Sequence, residues 1–83
     1  MITIYGVKGC DYCVKIKKVC NNLNIKYEYK DISITENYNE LKKRLDARLE
    51  FPSIFHNDKH IGWYTDFIQY IDKLEKGDYN NES

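Results

Sequence analysis

Residues 2–13 have the sequence Ile-Thr-Ile-Tyr-Gly-Val-Lys-Gly-Cys-Asp-Tyr-Cys, in which a Cys-x-x-Cys pair follows a short apolar segment and begins a helical pattern. At the amino end of a helix, the sulfur of Cys10 lies beside backbone N–H groups without helical partners and beside the positive end of the helix dipole. These groups favour the thiolate, which is the form that attacks disulfides. Cys13 follows nearly one turn later, close enough for an intramolecular disulfide. The pair therefore predicts redox chemistry.

The composition is that of an ordinary soluble domain. A chain of 83 residues with 42% hydrophobic and 31% charged residues is sufficient for one domain with its own core. Its formal net charge of zero gives no electrostatic footprint for nucleic acid. Its apolar runs are too short to span a bilayer. We therefore expect no nucleic-acid or membrane partners. We also expect a monomer.

The cysteine count and the amino terminus bear on the compartment. Three cysteines are few, and an odd number cannot all pair in a secreted disulfide framework, so the count favours reversible thiol chemistry. Met1 leads directly into the first apolar segment, without the basic and long apolar regions of a signal peptide. The sequence predicts a cytoplasmic protein.

Hydrophobic periodicity predicts seven elements in the order β-α-β-α-β-β-α. The predicted strands cover residues 2–6, 26–31, 53–56 and 59–61. The first two strands are separated by a helix and should pair in parallel through a right-handed crossover. Asn57-Asp58 predicts a two-residue turn, so the last two strands should form an antiparallel hairpin. The predicted fold is α/β, with a four-stranded mixed sheet flanked by three helices.

Three apolar stripes with helical spacing predict the helices. The first stripe consists of Cys13, Ile16, Cys20 and Leu23, and its helix is expected to end near residues 21–22. The second consists of Tyr38, Leu41, Leu45 and Leu49, and the third of Phe67, Ile68, Ile71 and Leu74.

The predicted helix ends come from capping residues. Ser33 or Thr35 caps the second helix, and Ser33-x-x-Glu36 fits a capping box. Thr65 caps the third helix, and Gly77 ends it. Residues 78–83 are polar and are expected to fray, which leaves residues 1–77 as the domain.

Together these motifs resemble the thioredoxin fold, and in detail the glutaredoxin family. Residues 9–13 are similar to the family's Cys-Pro-Tyr-Cys segment, and Phe51-Pro52 stands where the family has Thr-Val-Pro with a cis proline. Residues 60–67, His-Ile-Gly-Trp-Tyr-Thr-Asp-Phe, are similar to the family's His-Ile-Gly-Gly-Tyr-Thr-Asp-Phe. The resemblance extends to about residue 75 and implies that residues 1–77 form a glutaredoxin domain.

The resemblance implies a glutathione-dependent thiol–disulfide oxidoreductase. Cys10 would be the nucleophile and Cys13 the resolving thiol in the reduction of protein disulfides and glutathione mixed disulfides. Glutathione would be a co-substrate, with no tightly bound cofactor, and ribonucleotide reductase a protein substrate by family analogy.

The resemblance also implies a glutathione groove around Cys10. Its residues would be Lys8 for the glycyl carboxylate, Tyr12 along the side, the main chain of Phe51 beside cis Pro52 for the cysteinyl part, and Thr65 and Asp66 for the γ-glutamyl end.

Two residues depart from the family pattern. Asp11 stands in place of proline, and its negative charge should oppose formation of the Cys10 thiolate and make the pair more reducing. Trp63 replaces the second glycine of the Gly-Gly pair, where its ring should narrow the groove or stack over a bound peptide. Weaker glutathione affinity is expected.

Other interpretations of the cysteines are open. One is a redoxin reduced by thioredoxin reductase, and another is a non-catalytic dimer that carries an iron–sulfur cluster on Cys10 and glutathione. A structural zinc site would need His56 and His60, but they follow Cys13 by about forty residues, which departs from zinc-binding spacings. We therefore expect no metal site, and we expect Cys20 to be a core residue.

Overall fold

Seven elements form in the predicted order β-α-β-α-β-β-α. The structure, a computed structural model, describes residues 1–45 and 49–76. The strands are β1 (Ile2–Gly6), β2 (Tyr27–Asp31), β3 (Ser53–His56) and β4 (Lys59–Gly62), and the helices are α1 (Asp11–Asn22), α2 (Thr35–Arg44) and α3 (Tyr64–Lys76). None of the helices in this described part of the chain is long and apolar enough to cross a membrane.

The strands form one mixed sheet in the order β2-β1-β3-β4. β1 pairs in parallel with β2 and antiparallel with β3, and β3 pairs antiparallel with β4. Asn57 takes a positive φ of 56° in the hairpin turn, a conformation that asparagine adopts more readily than most residues. The predicted thioredoxin fold is therefore confirmed.

Helices cover both faces of the sheet. On one face α1 and α3 pack over the strands, in a core formed by Ile2, Ile4, Ile16, Cys20, Ile54, Phe67 and Ile71. On the other face Leu41 of α2 packs against Tyr5 and Phe55. Because β1 is central and covered on both sides, all five of its residues are buried. The amino end of α1 follows the carboxyl end of this strand.

The start of α2 differs from the prediction. Ile34 occupies the N-cap position, and no side chain caps the helix there. The N–H of Ser33 instead donates to the carboxylate of Asp31 at 2.9 Å, and this bond is the largest cause of the lowered pKa of Asp31. The predicted caps at Ser33 and Thr35 and the capping box of Ser33 and Glu36 are therefore wrong, because Ser33 lies in an Asx turn and Thr35 is already the first residue of the helix.

The carboxyl ends of the predicted apolar stripes also differ: Leu23 is the C-cap of α1 and is exposed. α2 ends at Arg44, and Leu45 has an extended backbone, so Leu49 does not continue the helix, although it still packs on the Leu41 side of the sheet. Leu74 is 44% exposed and contributes little to the core. The predicted stop at Gly77 and the tail at 78–83 lie outside the described residues, and the domain boundary stays a prediction.

A polar cluster lies against the α2 face of the sheet. The hydroxyl of buried Tyr5 donates to the carboxylate of Glu40 and accepts a hydrogen bond from Arg44 at 2.9 Å. Lys30 forms an ion pair with the same carboxylate at 2.6 Å. The hydrogen bonds from Lys30 and then Tyr5 lower the pKa of Glu40.

We predict that Glu40→Gln lowers the free energy of unfolding by about 1 kcal/mol at pH 7, the modest value of a partly exposed pair. The pKa of Glu40 in the folded protein lies below its ordinary value of 4.5. The stability difference between wild type and variant is therefore fully present above pH 4.5 and disappears as the pH falls through the folded pKa. Urea unfolding at several pH values measures it, with exposed Glu50→Gln as the control. A difference that grows in acid would contradict the assignment.

Candidate active site

Cys10 lies at the amino end of α1, where β1 and a short turn deliver it. It occupies the N-cap position with an extended backbone, and its Sγ accepts a hydrogen bond from the main-chain N–H of Cys13 at 3.1 Å. Gly9 precedes it with a φ of 76°, and a Cβ built at Gly9 would meet nothing within 4 Å, so the approach to Cys10 is open on that side. The N–H group and the helix dipole favour negative charge on this sulfur.

The second cysteine is shielded. Cys10 and Cys13 form a disulfide with their Cα atoms 5.2 Å apart. Cys13 is only 1% exposed, whereas Cys10 is half-buried. Cys10 is therefore the more accessible of the two sulfurs.

The segment of Phe51 and Pro52 lies beside this disulfide. The peptide bond between them is cis, and Pro52 is fully buried. The carbonyl oxygen of Phe51 lies 4.0 Å from the Sγ of Cys10. An acceptor of main-chain hydrogen bonds is therefore next to the reactive sulfur.

Trp63 spans the surface between these elements. Its indole N–H donates to the Phe51 carbonyl at 2.8 Å, and its ring centroid lies 4.8 Å from that of Tyr12. Its main-chain N–H donates to the carboxylate of Asp66 at 2.9 Å. We call the surface between Cys10, Tyr12, Phe51 and Asp66 the active-site groove, and Trp63 lies across it.

The turn from β4 into α3 explains how Asp66 comes so close. Gly62 has a φ of 127°, and a Cβ there would lie 2.5 Å from the Asp66 carboxylate. α3 begins at Tyr64, so Asp66 provides the carboxylate half of a capping box for the N–H of Trp63. The prediction that Thr65 caps α3 is wrong, because Thr65 lies inside the first turn.

A small cavity of about 150 Å³ adjoins the groove, lined by Leu45, Glu50, Pro52, Ser53, His60, Gly62, Trp63 and Asp66. A larger depression of about 640 Å³ lies at the other end of α1, next to Cys20. That depression is remote from the disulfide, so we assign it no part in the chemistry.

The structure brings most of the predicted site residues together. Cys10, Tyr12 and Phe51 line the groove, and Asp66 borders it through its bond to Trp63. Thr65 is exposed beside them on α3. Lys8 is exposed on the turn before Cys10, where its charge acts on Asp31 and helps to lower the pKa of that carboxyl.

One contact of the site was not predicted from the sequence. Trp63 was expected to be a bulky replacement in the groove wall, but not a hydrogen-bond donor to Phe51. The two residues are twelve positions apart, and only the β3–β4 hairpin brings them together. The one available indication was a tryptophan next to a helix start, since a buried indole N–H usually finds an acceptor.

The remaining cysteine and the histidines have other environments. Cys20 is fully buried, and burial raises the pKa of its thiol to about 11, so it is a neutral core residue at pH 7. His60 lies 3.3 Å from the Ser53 hydroxyl, and His56 bonds to the Tyr70 hydroxyl. Within residues 1–45 and 49–76, no group of three or more His, Cys, Asp or Glu side chains is arranged to hold a metal ion.

Comparison with known proteins gives one consistent family. A family model described as Glutaredoxin matches residues 2–61. Glutaredoxin 1 of Rickettsia bellii is 34% identical over 92% of this chain and 87% of its own length, and Glutaredoxin 1 of Escherichia coli is 35% identical over 82% and 88%. The solution structure of reduced E. coli glutaredoxin superimposes with a TM-score of 0.72 at 32% identity, covering 87% of this chain and 93% of that one.

We predict that Asp11→Asn increases the rate at which Cys10 is alkylated at pH 7. Asp11 is the first residue of α1, and its negative charge opposes the thiolate on the adjacent residue. Iodoacetamide labelling of the reduced protein at low ionic strength should be about two- to fivefold faster, and the gain should shrink in 1 M salt because the charge is exposed. Asp11→Glu keeps the charge and should behave like the wild type. A slower reaction in Asp11→Asn would show that the sign is wrong.

Proposed function

The chain belongs to the glutaredoxin family, and on this premise we propose that it uses glutathione to reduce protein disulfides and glutathione mixed disulfides. The family and the cysteine pair make it a thiol–disulfide oxidoreductase. The observation that carries the proposal is the position of Cys10. Its sulfur is bonded to a helix N–H and is reachable from solvent, and it lies beside the Phe51 carbonyl.

The proposed reaction begins at Cys10. Its thiolate attacks one sulfur of the substrate disulfide, so the substrate's S–S bond breaks and its other sulfur leaves as a thiolate. The Cys13 thiolate then attacks Cys10, which forms the Cys10–Cys13 disulfide and releases the reduced substrate. The substrate has gained two electrons, and the enzyme holds the disulfide seen in the structure.

Two glutathione molecules restore the dithiol. The first glutathione thiolate attacks the sulfur of Cys10, which forms a mixed disulfide and frees Cys13. The second attacks the glutathione sulfur of that mixed disulfide and leaves as oxidised glutathione, so the two molecules supply the two electrons. A glutathionylated substrate needs Cys10 alone, because glutathione can release the adduct without Cys13.

The groove supports glutathione as the co-substrate. The Phe51 carbonyl lies where an extended cysteinyl main chain beside Cys10 would donate a hydrogen bond. The first turn of α3 carries Thr65 and Asp66, and its N–H groups favour the γ-glutamyl carboxylate. Lys8, exposed on the turn before Cys10, is the proposed partner of the glycyl carboxylate.

We also propose the oligomeric state, the compartment and the protein substrate of this reaction. The enzyme acts as a monomer in the reducing cytoplasm, where glutathione keeps it reduced. Ribonucleotide reductase is the proposed protein substrate, by analogy with the family.

Three cysteine variants test the proposal in an assay coupled to glutathione and glutathione reductase. Cys10→Ser should abolish all turnover, because it removes the nucleophile. Cys13→Ser should still reduce a glutathionylated peptide, but its rate of protein-disulfide reduction should fall at least about tenfold, because only the second reaction needs the resolving thiol. Cys20→Ser is the control and should keep both activities.

The same proteins separate the alternatives. Turnover with thioredoxin reductase but not with glutathione would replace the proposal by a thioredoxin-like redoxin. Visible absorbance of a [2Fe–2S] cluster in the purified protein, with no turnover of either substrate, would replace it by a cluster carrier. Full activity in Cys10→Ser would refute the mechanism.

A further inference from the structure

Trp63 is hydrogen-bonded to two of the groups that the proposed glutathione site would use, to one through its indole and to the other through its main chain. The indole of Trp63 is bonded to the carbonyl of Phe51, and the main-chain N–H of Trp63 is bonded to the carboxylate of Asp66. The first group would pair with the cysteinyl main chain of glutathione, and the second would help to hold its γ-glutamyl end. The protein itself has therefore satisfied both.

The ring of Trp63 also lies between Phe51 and Tyr12. On one side it reaches the Phe51 oxygen at 2.8 Å, and on the other its centroid is 4.8 Å from that of Tyr12. The Phe51 carbonyl lies 4.0 Å from the Cys10 sulfur, so a peptide that ran from Cys10 past Phe51 toward the start of α3 would meet the indole.

We propose that Trp63 is a specificity-determining residue, a strap that discriminates against glutathione and favours disulfides presented by larger protein partners. Displacing the strap costs one hydrogen bond and one aromatic contact. A tripeptide has few other contacts to offset that cost, whereas a protein partner can bury the displaced indole and the exposed Tyr12 ring in its own interface. This inference rests on the proposed function.

The hydrogen bond from the indole does not by itself exclude glutathione, because a carbonyl oxygen has two lone pairs and can accept a second donor. The bulk of the ring between Phe51 and Tyr12 is the second contribution to the discrimination against glutathione. Trp63→Phe separates the two, since it keeps an aromatic ring and removes the N–H. Trp63→Gly removes both and leaves a residue that is tolerated before a helix.

Steady-state kinetics of these variants test the strap. Trp63→Gly should lower the KM for a glutathionylated peptide by about five- to tenfold, the factor expected for one hydrogen bond and part of a ring contact, with kcat little changed. Its KM for insulin, a protein disulfide, should stay the same or rise. Gln69→Ala, at an exposed position on α3, is the control. An unchanged KM for the glutathionylated peptide in Trp63→Gly, or an equal fall in the KM for insulin, would overturn the proposal. A fall confined to the glutathionylated peptide supports it, whichever value Trp63→Phe gives.

The wild-type protein offers a test that no folding defect can obscure. Trp63 is its single tryptophan, so its fluorescence reports on this site alone. Titration with S-methylglutathione, which cannot react with Cys10, should shift the emission to longer wavelength as the indole leaves Phe51 and Tyr12. An emission that stays constant at concentrations that inhibit turnover competitively would overturn the strap.

The two proposals fail in different ways. If wild type and Trp63→Gly both turn over the glutathionylated peptide with equal KM, the strap is wrong and the proposed function stands. If neither turns it over while thioredoxin reductase drives insulin reduction, the proposed function is wrong, and this inference falls with it.

Discussion

The hydrogen bond from the main-chain N–H of Cys13 to the sulfur of Cys10 is the interaction on which the site depends. It exists because α1 begins directly after Cys10, and α1 is fixed there by its packing across the buried central strand β1. The same geometry separates the two thiols by exposure, since Cys13 turns into the protein while Cys10 faces the groove. Which of the two sulfurs is accessible is therefore a consequence of where one helix starts.

The opposite wall of the groove is built by the β3–β4 hairpin and its two ends. Phe51 enters the hairpin beside the disulfide, and Trp63 leaves it and reaches back to the Phe51 carbonyl. Trp63 thus joins the two ends of this wall, and in the proposed strap it also covers the acceptor that a peptide substrate would use.

Much of the fold could be predicted from local sequence. The alternation before Gly6, the three- and four-residue spacing after Cys10 and the Asn57 turn each define an element without reference to the rest of the chain. Helix starts were less predictable. Ser33 and Asp31 offer competing short-range hydrogen bonds, and the sequence does not show which one forms; the structure has the Asp31 turn.

The site residues also differ in how predictable they are from the sequence. The roles expected of Cys10 and Cys13 could be predicted from their place at the start of one helix, whereas the contact of Trp63 with Phe51 depends on the tertiary placement of the hairpin. The most direct test of the central claim is mass spectrometry of Cys13→Ser after reaction with oxidised glutathione. We predict a single glutathione, attached to Cys10. An adduct on Cys20, or none at all, would contradict the assignment of Cys10 as the nucleophile.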